Sequence, residues 1–142
     1  MPYDPMMVAP MRDELTRLGF RELRRPEDVD LEMREPGRML LVVNSVCGCA
    51  AGVARPGVAR SLKHPGAPGR LATVFAGQDV EATARARSYF GGMPPSSPQV
   101  AILEGGKLLF LLQRYEIEGR TPDQIAAALG AAYDRLGQAS HA

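Results

Sequence analysis

The sequence predicts an α/β fold with a central mixed sheet of four to five strands flanked by helices. Three observations predict it. Residues 39–43, 71–76 and 99–103 are apolar almost throughout, without the polar alternation of a half-exposed strand, as expected for strands covered on both faces. Helical patterns separate these runs, so the order strand, helix, strand, helix favours crossover connections in one sheet. Finally, Glu104-Gly105-Gly106-Lys107 joins the third run to Leu108-Leu109-Phe110-Leu111-Leu112 as a hairpin, which adds an antiparallel strand.

Taken in order, residues 10–18 open on a proline suited to a first helical turn and place Met11, Leu15 and Leu18 on one face, with Asp13 and Glu14 near the positive end. Gly19 stops that helix. Residues 20–23 read as a short strand, and Pro26 begins a second helix that carries Val29, Leu31 and Met33 up to Pro36-Gly37. After the strand at 39–43, Asn44-Ser45 leads into a helix running to about Leu62, which Pro56 should kink or loosen by one backbone hydrogen bond. The loop at 64–69 precedes the strand at 71–76. Asp79 is the expected N-cap of a helix over 80–90. The breaker-rich segment 91–98 runs directly into the third strand, and Thr121-Pro122 opens a final helix through Ile125, Leu129, Tyr133 and Leu136.

The chain has 142 residues, a formal charge of +1 and a mean hydropathy of -0.14, which fits one domain over residues 1–142. A chain of this size buries roughly 68–70% of its unfolded surface and needs neither disulfide staples nor a structural metal. With 17 basic residues offset by 16 acidic ones, nothing recommends a nucleic-acid partner, and no run is long and apolar enough for a membrane span. The first eleven residues lack a signal-peptide pattern, so a cytoplasmic protein is expected. In that reducing compartment a close cysteine pair is more readily catalytic, redox-sensing or metal-binding than a permanent bridge.

The two cysteines, Cys47 and Cys49, fall where a buried strand ends and a helix begins. Unpaired backbone N–H groups and the helix dipole favour a negative charge there, hence the thiolate that attacks disulfides. Cys47 is the candidate nucleophile. Cys49 is placed to attack the resulting mixed disulfide, with Gly48 easing the tight ring that an i, i+2 disulfide closes. Two buried structural cysteines fit this position poorly. A zinc site lacks ligands, since only His64 and His141 supply imidazole, and both sit in irregular stretches. A homodimer is compatible with the sequence, and a metal cluster shared across it is the remaining metal alternative.

Ser97-Pro98 is the second candidate substrate-binding element. A cis peptide there would shape a groove for an extended thiol substrate, whereas base rates favour an ordinary trans proline at a strand start. Arg55, the nearest downstream cation, is a candidate partner for a substrate carboxylate, with a solvated helix position as the equal alternative. Tyr115, Glu116 and Glu118 read as scattered surface residues without assigned roles.

The chain resembles the bacilliredoxin family over nearly its whole length. The resemblance rests on Pro10-Met11-Arg12, the block Asn44-Ser45-Val46-Cys47-Gly48-Cys49-Ala50-Ala51-Gly52, Ala54-Arg55-Pro56, Thr73-Val74-Phe75-Ala76-Gly77-Gln78-Asp79, Pro95-Ser96-Ser97-Pro98 and Ile117-Glu118-Gly119. It implies a thioredoxin-like fold and removal of bacillithiol, a low-molecular-weight thiol, from S-bacillithiolated client proteins. It also implies Cys47 as attacking sulfur, Cys49 as resolving sulfur, a cis Pro98, and bacillithiol as co-substrate with no tightly bound cofactor. Where Tyr115 stands many relatives carry histidine, and some end in a further cysteine where this chain has Ser140-His141-Ala142, so any role of those groups is absent or differently filled. The readings from different classes are a general disulfide reductase or isomerase, and a non-enzymatic redox-sensing or metal-binding module.

Overall fold

A computed structural model describes residues 2–139, and His141 lies outside them. The elements run α1 (Pro5–Thr16), β1 (Arg21–Glu22), α2 (Pro26–Arg34), β2 (Arg38–Asn44), a π-helical turn (Ala50–Ala54), α3 (Arg55–Ser61), β3 (Arg70–Phe75) and α4 (Val80–Arg87). They continue as β4 (Gln99–Glu104), β5 (Lys107–Leu112), α5 (Arg114–Ile117) and α6 (Pro122–Ala139). The strands form one mixed sheet in the order β1-β3-β2-β4-β5. β2 is central, parallel to β3 and antiparallel to β4, and β4 returns antiparallel as β5 through the predicted hairpin.

The apolar run in β2 is buried on both faces, and alternation along the strand divides it between two cores. Leu40 and Val42 join Leu15, Phe20, Val58, Ile125 and Leu129 beneath α1, α3 and α6. Met39, Leu41 and Val43 face the other way, toward Val29, Met33, Ala82 and Ala86 of α2 and α4. Helices thus cover both faces, which is why no polar alternation is seen.

Three local expectations need correction. α1 starts at Pro5, not Pro10, because the Asp4 side chain accepts a hydrogen bond from Met6 N–H at 2.9 Å and caps an earlier turn. Pro10 therefore lies inside the helix, where it removes one N–H donor. Asp79 stands at the N-cap position of α4, as expected, but its side chain bonds no helix amide. Its carboxylate takes both arms of Arg12, at 3.0 and 2.9 Å, joining α1 to the turn after β3. α4 itself ends at Arg87, short of residue 90. Around Pro56 the chain widens into the π turn, with Arg55 N–H bonded to Ala50 O. Widening there keeps the proline ring off the Gly52 carbonyl, with which it would collide in a regular α-helix. The sequence also gave no sign of α5, whose capping box joins Gln113 to Glu116.

Candidate active site

The site is built at the end of β2. Asn44 is buried and spends its amide on three neighbours: Nδ2 donates to Met11 O at 3.1 Å, while Oδ1 accepts from Ser45 N–H and from Arg55 Nη1, both at 2.9 Å. Arg55 Nη1 also donates to Ser45 O at 3.0 Å, and Nη2 lies 3.2 Å from Glu14 Oε2. Arg55 is only 3% exposed, so it is neither a solvated residue nor a group open to a substrate carboxylate. Its guanidinium instead fixes the turn that carries the cysteines. That correction has a simple origin: residue 55 lies on the inward face of the helical segment, tucked between α1 and the end of β2.

Beyond Ser45 the chain presents Cys47 and Cys49, both free and half-buried, with exposed Gly48 between them. Cys47 N–H donates to Ser45 Oγ at 3.2 Å, and Cys47 O accepts from Ala50 and Ala51 N–H at 3.1 and 3.3 Å, which starts the helical segment. Burial pushes the Cys47 thiol up, but hydrogen bonds from the Ser45 hydroxyl and from the Ala50 and Cys49 amides, together with the Arg114 charge, outweigh it and hold the thiol below its ordinary range. Cys49 moves oppositely. Burial, the neighbouring Cys47 sulfur and Glu118 raise it, and Arg114 opposes them. The two sulfurs are thereby differentiated, one suited to be a thiolate and the other to remain a thiol. Gly48 has no positive φ, and a Cβ on it would meet nothing within 4 Å, so the dithiol form makes no demand for glycine there.

The Ser97–Pro98 peptide is cis, and Ser97 O lies 4.0 Å from Cys47 Sγ. This loop is fixed by buried amides that sequence reasoning did not single out. Gln99 Nε2 and Ser96 Oγ both donate to Gln113 Oε1, at 2.8 and 2.6 Å, while Gln113 Nε2 donates to Pro94 O at 2.9 Å. Arg87 adds donors to Gln99 Oε1 and Ser96 O. The second omission is Arg114, whose Nη1 reaches Ser97 O at 3.5 Å and whose Nε pairs with Glu118. Of the residues left without roles, Tyr115 is exposed, Glu116 accepts from Gln113 N–H at the start of α5, and Glu118 belongs to this charge pair.

His64 is not free for a metal. Its Nε2 meets Asp134 Oδ1 at 2.9 Å, and its Nδ1 accepts from Gly66 N–H at 2.8 Å. Among the described residues no group of three or more His, Cys, Asp or Glu is arranged to hold a metal ion. Nor is any helix long and apolar enough to cross a membrane.

The differentiated sulfurs predict a pH profile. Alkylation of Cys47 by iodoacetamide in Cys49→Ser should rise with pH and level off below the range of an ordinary thiol, because a lowered pKa fills the thiolate form earlier. Ser45→Ala removes one stabilising donor and should move the midpoint upward. An unmoved midpoint would show that the hydroxyl does not act on the sulfur.

Two free thiols one residue apart, at the end of the central strand and facing a cis-proline loop, define a class: the thiol-disulfide oxidoreductases of thioredoxin-like fold. Solved structures agree on the fold. A proposed oxidoreductase with a thioredoxin fold matches with a TM-score of 0.63 at 13% identity, covering 79% of this chain and 91% of that one. Oxidised thioredoxin from Plasmodium falciparum matches at 0.52 and 10% identity, covering 82% and 97%. A family profile described as disulphide isomerase matches residues 3–137. Bacilliredoxins are similar throughout: that of Cytophaga hutchinsonii is 51% identical over 134 residues, 94% of this chain and 99% of its own, and that of Geobacillus kaustophilus is 52% identical over 128 residues, 90% and 88%. The chain belongs to the bacilliredoxin family and is a thiol-disulfide oxidoreductase with a C-x-C cysteine pair.

Proposed function

We propose that the protein removes bacillithiol from S-bacillithiolated client proteins in the cytoplasm, with Cys47 as nucleophile and Cys49 as resolving thiol. The observation that carries the two roles is the placement of the free thiols: Cys47 Sγ lies 4.0 Å from Ser97 O at the cis Ser97–Pro98 peptide, with Cys49 two residues on at the start of the helical segment, and the opposite displacement of the thiols, Cys47 downward and Cys49 upward, supports the same assignment. The Cys47 thiolate attacks the bacillithiol sulfur of the mixed disulfide. The client sulfur leaves with the bonding electrons, takes a proton and is restored as a thiol, while bacillithiol is now bonded to Cys47. Cys49 then loses its proton and attacks Cys47 Sγ; the Cys47–Cys49 disulfide forms and bacillithiol leaves as a thiol. Each turn therefore oxidises the pair by two electrons, and two thiols or one dithiol must reduce it again. Alternatively a second bacillithiol attacks the Cys47 adduct directly and leaves as the symmetrical disulfide.

Ser97 O, on the cis Ser97–Pro98 peptide, lies 4.0 Å from Cys47 Sγ and borders the approach of the mixed disulfide, and Gly48, next to Cys47 in the chain, is exposed. Gly48 also supplies the backbone freedom that closure of an i, i+2 disulfide needs. The substrate assignment draws on the family to which the chain belongs.

A general disulfide reductase or isomerase is the competing reading. One client protein, prepared both bacillithiolated and with an internal disulfide, separates the two. De-bacillithiolation predicts a kcat/KM for the adduct at least about tenfold above that for the internal disulfide, a difference of about 1.4 kcal/mol in transition-state stabilisation. Equal values for both substrates would overturn it.

A further inference from the structure

We propose that Arg114 is the specificity-determining residue for the departing thiol, and that it pairs with a carboxylate carried by the small-molecule half of the mixed disulfide. The inference rests on the reading of Cys47 as the attacking sulfur. It starts from a shared acceptor: Ser97 O is 4.0 Å from Cys47 Sγ and 3.5 Å from Arg114 Nη1, so the guanidinium stands one carbonyl away from the sulfur. A group bonded to Cys47 is therefore within reach of this cation.

The arginine is both held and open. Glu118 engages Nε from one turn further along the chain, and residue 114 itself is anchored by its N–H to Ser96 Oγ at 3.1 Å. Among the described residues nothing accepts from Nη2, and the side chain is 44% exposed. A planar fork with one arm steadied and another directed to solvent suits recognition of a carboxylate. The neighbouring arginines are unsuited. Arg55 is buried against Asn44, Ser45 and Glu14, and Arg87 is committed to Gln99 and Ser96.

The chemistry is that of the exchange already described. Cys47 forms a bond to the sulfur of the acidic thiol, the client sulfur departs with the electron pair and is protonated, and no further oxidant or reductant enters. Arg114 changes no bond. It holds the carboxylate so that the small thiol's sulfur, and not the client's, lies against Cys47, which determines which half is transferred.

The test uses one peptide with a single cysteine, prepared as its mercaptosuccinate and its mercaptoethanol mixed disulfides, with wild type, Arg114→Gln and Arg114→Lys. Arg114 also steadies the Cys47 thiolate, so its loss slows both substrates; the informative quantity is the ratio of the two kcat/KM values. Arg114→Gln should lower that acidic-to-neutral ratio about tenfold or more, the size expected for a lost charge-assisted contact. Arg114→Lys should recover part of it. A ratio unchanged in Arg114→Gln overturns the proposal, as does a wild type whose ratio matches that of uncatalysed exchange. The assay contains no bacillithiol. A protein that shows the Arg114-dependent ratio yet fails to release bacillithiol refutes the bacillithiol assignment alone, and one that releases bacillithiol equally well with Arg114→Gln and shows no ratio change refutes only the role of Arg114.

Discussion

Cys47→Ser should abolish release of bacillithiol from a client, with the rate falling on the order of 10³-fold or more to the uncatalysed background, because a hydroxyl at this position does not replace a thiolate as a nucleophile. Cys49→Ser should behave differently. Its first turnover should proceed near the wild-type rate, since Cys47 retains its donors, and the protein should then accumulate with one bacillithiol attached. Added bacillithiol should restart turnover by attacking that adduct. Single-turnover kinetics with mass detection separates the two variants. If Cys47→Ser releases bacillithiol at the wild-type rate, the assignment of nucleophile and resolving thiol fails.

The second large effect is on stability, and it comes from a glycine far from the sulfurs. Gly57 in α3 packs against α6, and a Cβ there would lie 2.6 Å from Ile125 Cβ and 2.7 Å from Ile125 Cγ2, with Pro122 O at 3.1 Å. A Cβ has no rotamer by which to escape, so Gly57→Ala must push α3 away from α6. Alanine gains about 1 kcal/mol of helix propensity over glycine, which offsets only part of an overpacking cost that two contacts under 3 Å place at about 2–3 kcal/mol. The expected result is a net loss of about 1–2 kcal/mol, with Tm lowered by about 2–8 °C for a domain of this size. Because α3 continues the helical segment that begins beside Cys49, the displacement should reach the site, and the alkylation rate of Cys47 should fall as well. A Tm equal to or above that of the wild type would show that the helices have room to spare.

The parts of this molecule that the sequence made legible are those governed by local periodicity and chain order. The apolar run ending at Val43, the glycines at the hairpin and the position of Cys47 at a strand-to-helix junction each carry their information within a few residues. Arg55 and Arg114 show where this stops. A buried arginine and a solvated one look the same in sequence, and Arg55 is decided by packing of α1 against α3, between segments about 40 residues apart. Arg114 lies far along the chain from the cysteines and reaches them only because the β4–β5 hairpin returns the chain to Ser97. Asp79 illustrates the same limit. It satisfies the local rule for an N-cap, yet a bidentate charged partner 67 residues away outcompetes the amide. α5 was hidden for the opposite reason: four residues are too few to show periodicity, and its capping box is built on Gln113, not on the usual Ser, Thr or Asp.

In the proposed cycle one sulfur receives the group and the other removes it. The most direct measurement is to mix Cys49→Ser with a bacillithiolated client, quench in acid, digest and locate bacillithiol by peptide mass spectrometry. The expected result is a stoichiometric adduct on Cys47 and a client returned to its free thiol. Bacillithiol retained on the client, or a client joined to Cys47 with bacillithiol released in the first step, would contradict it.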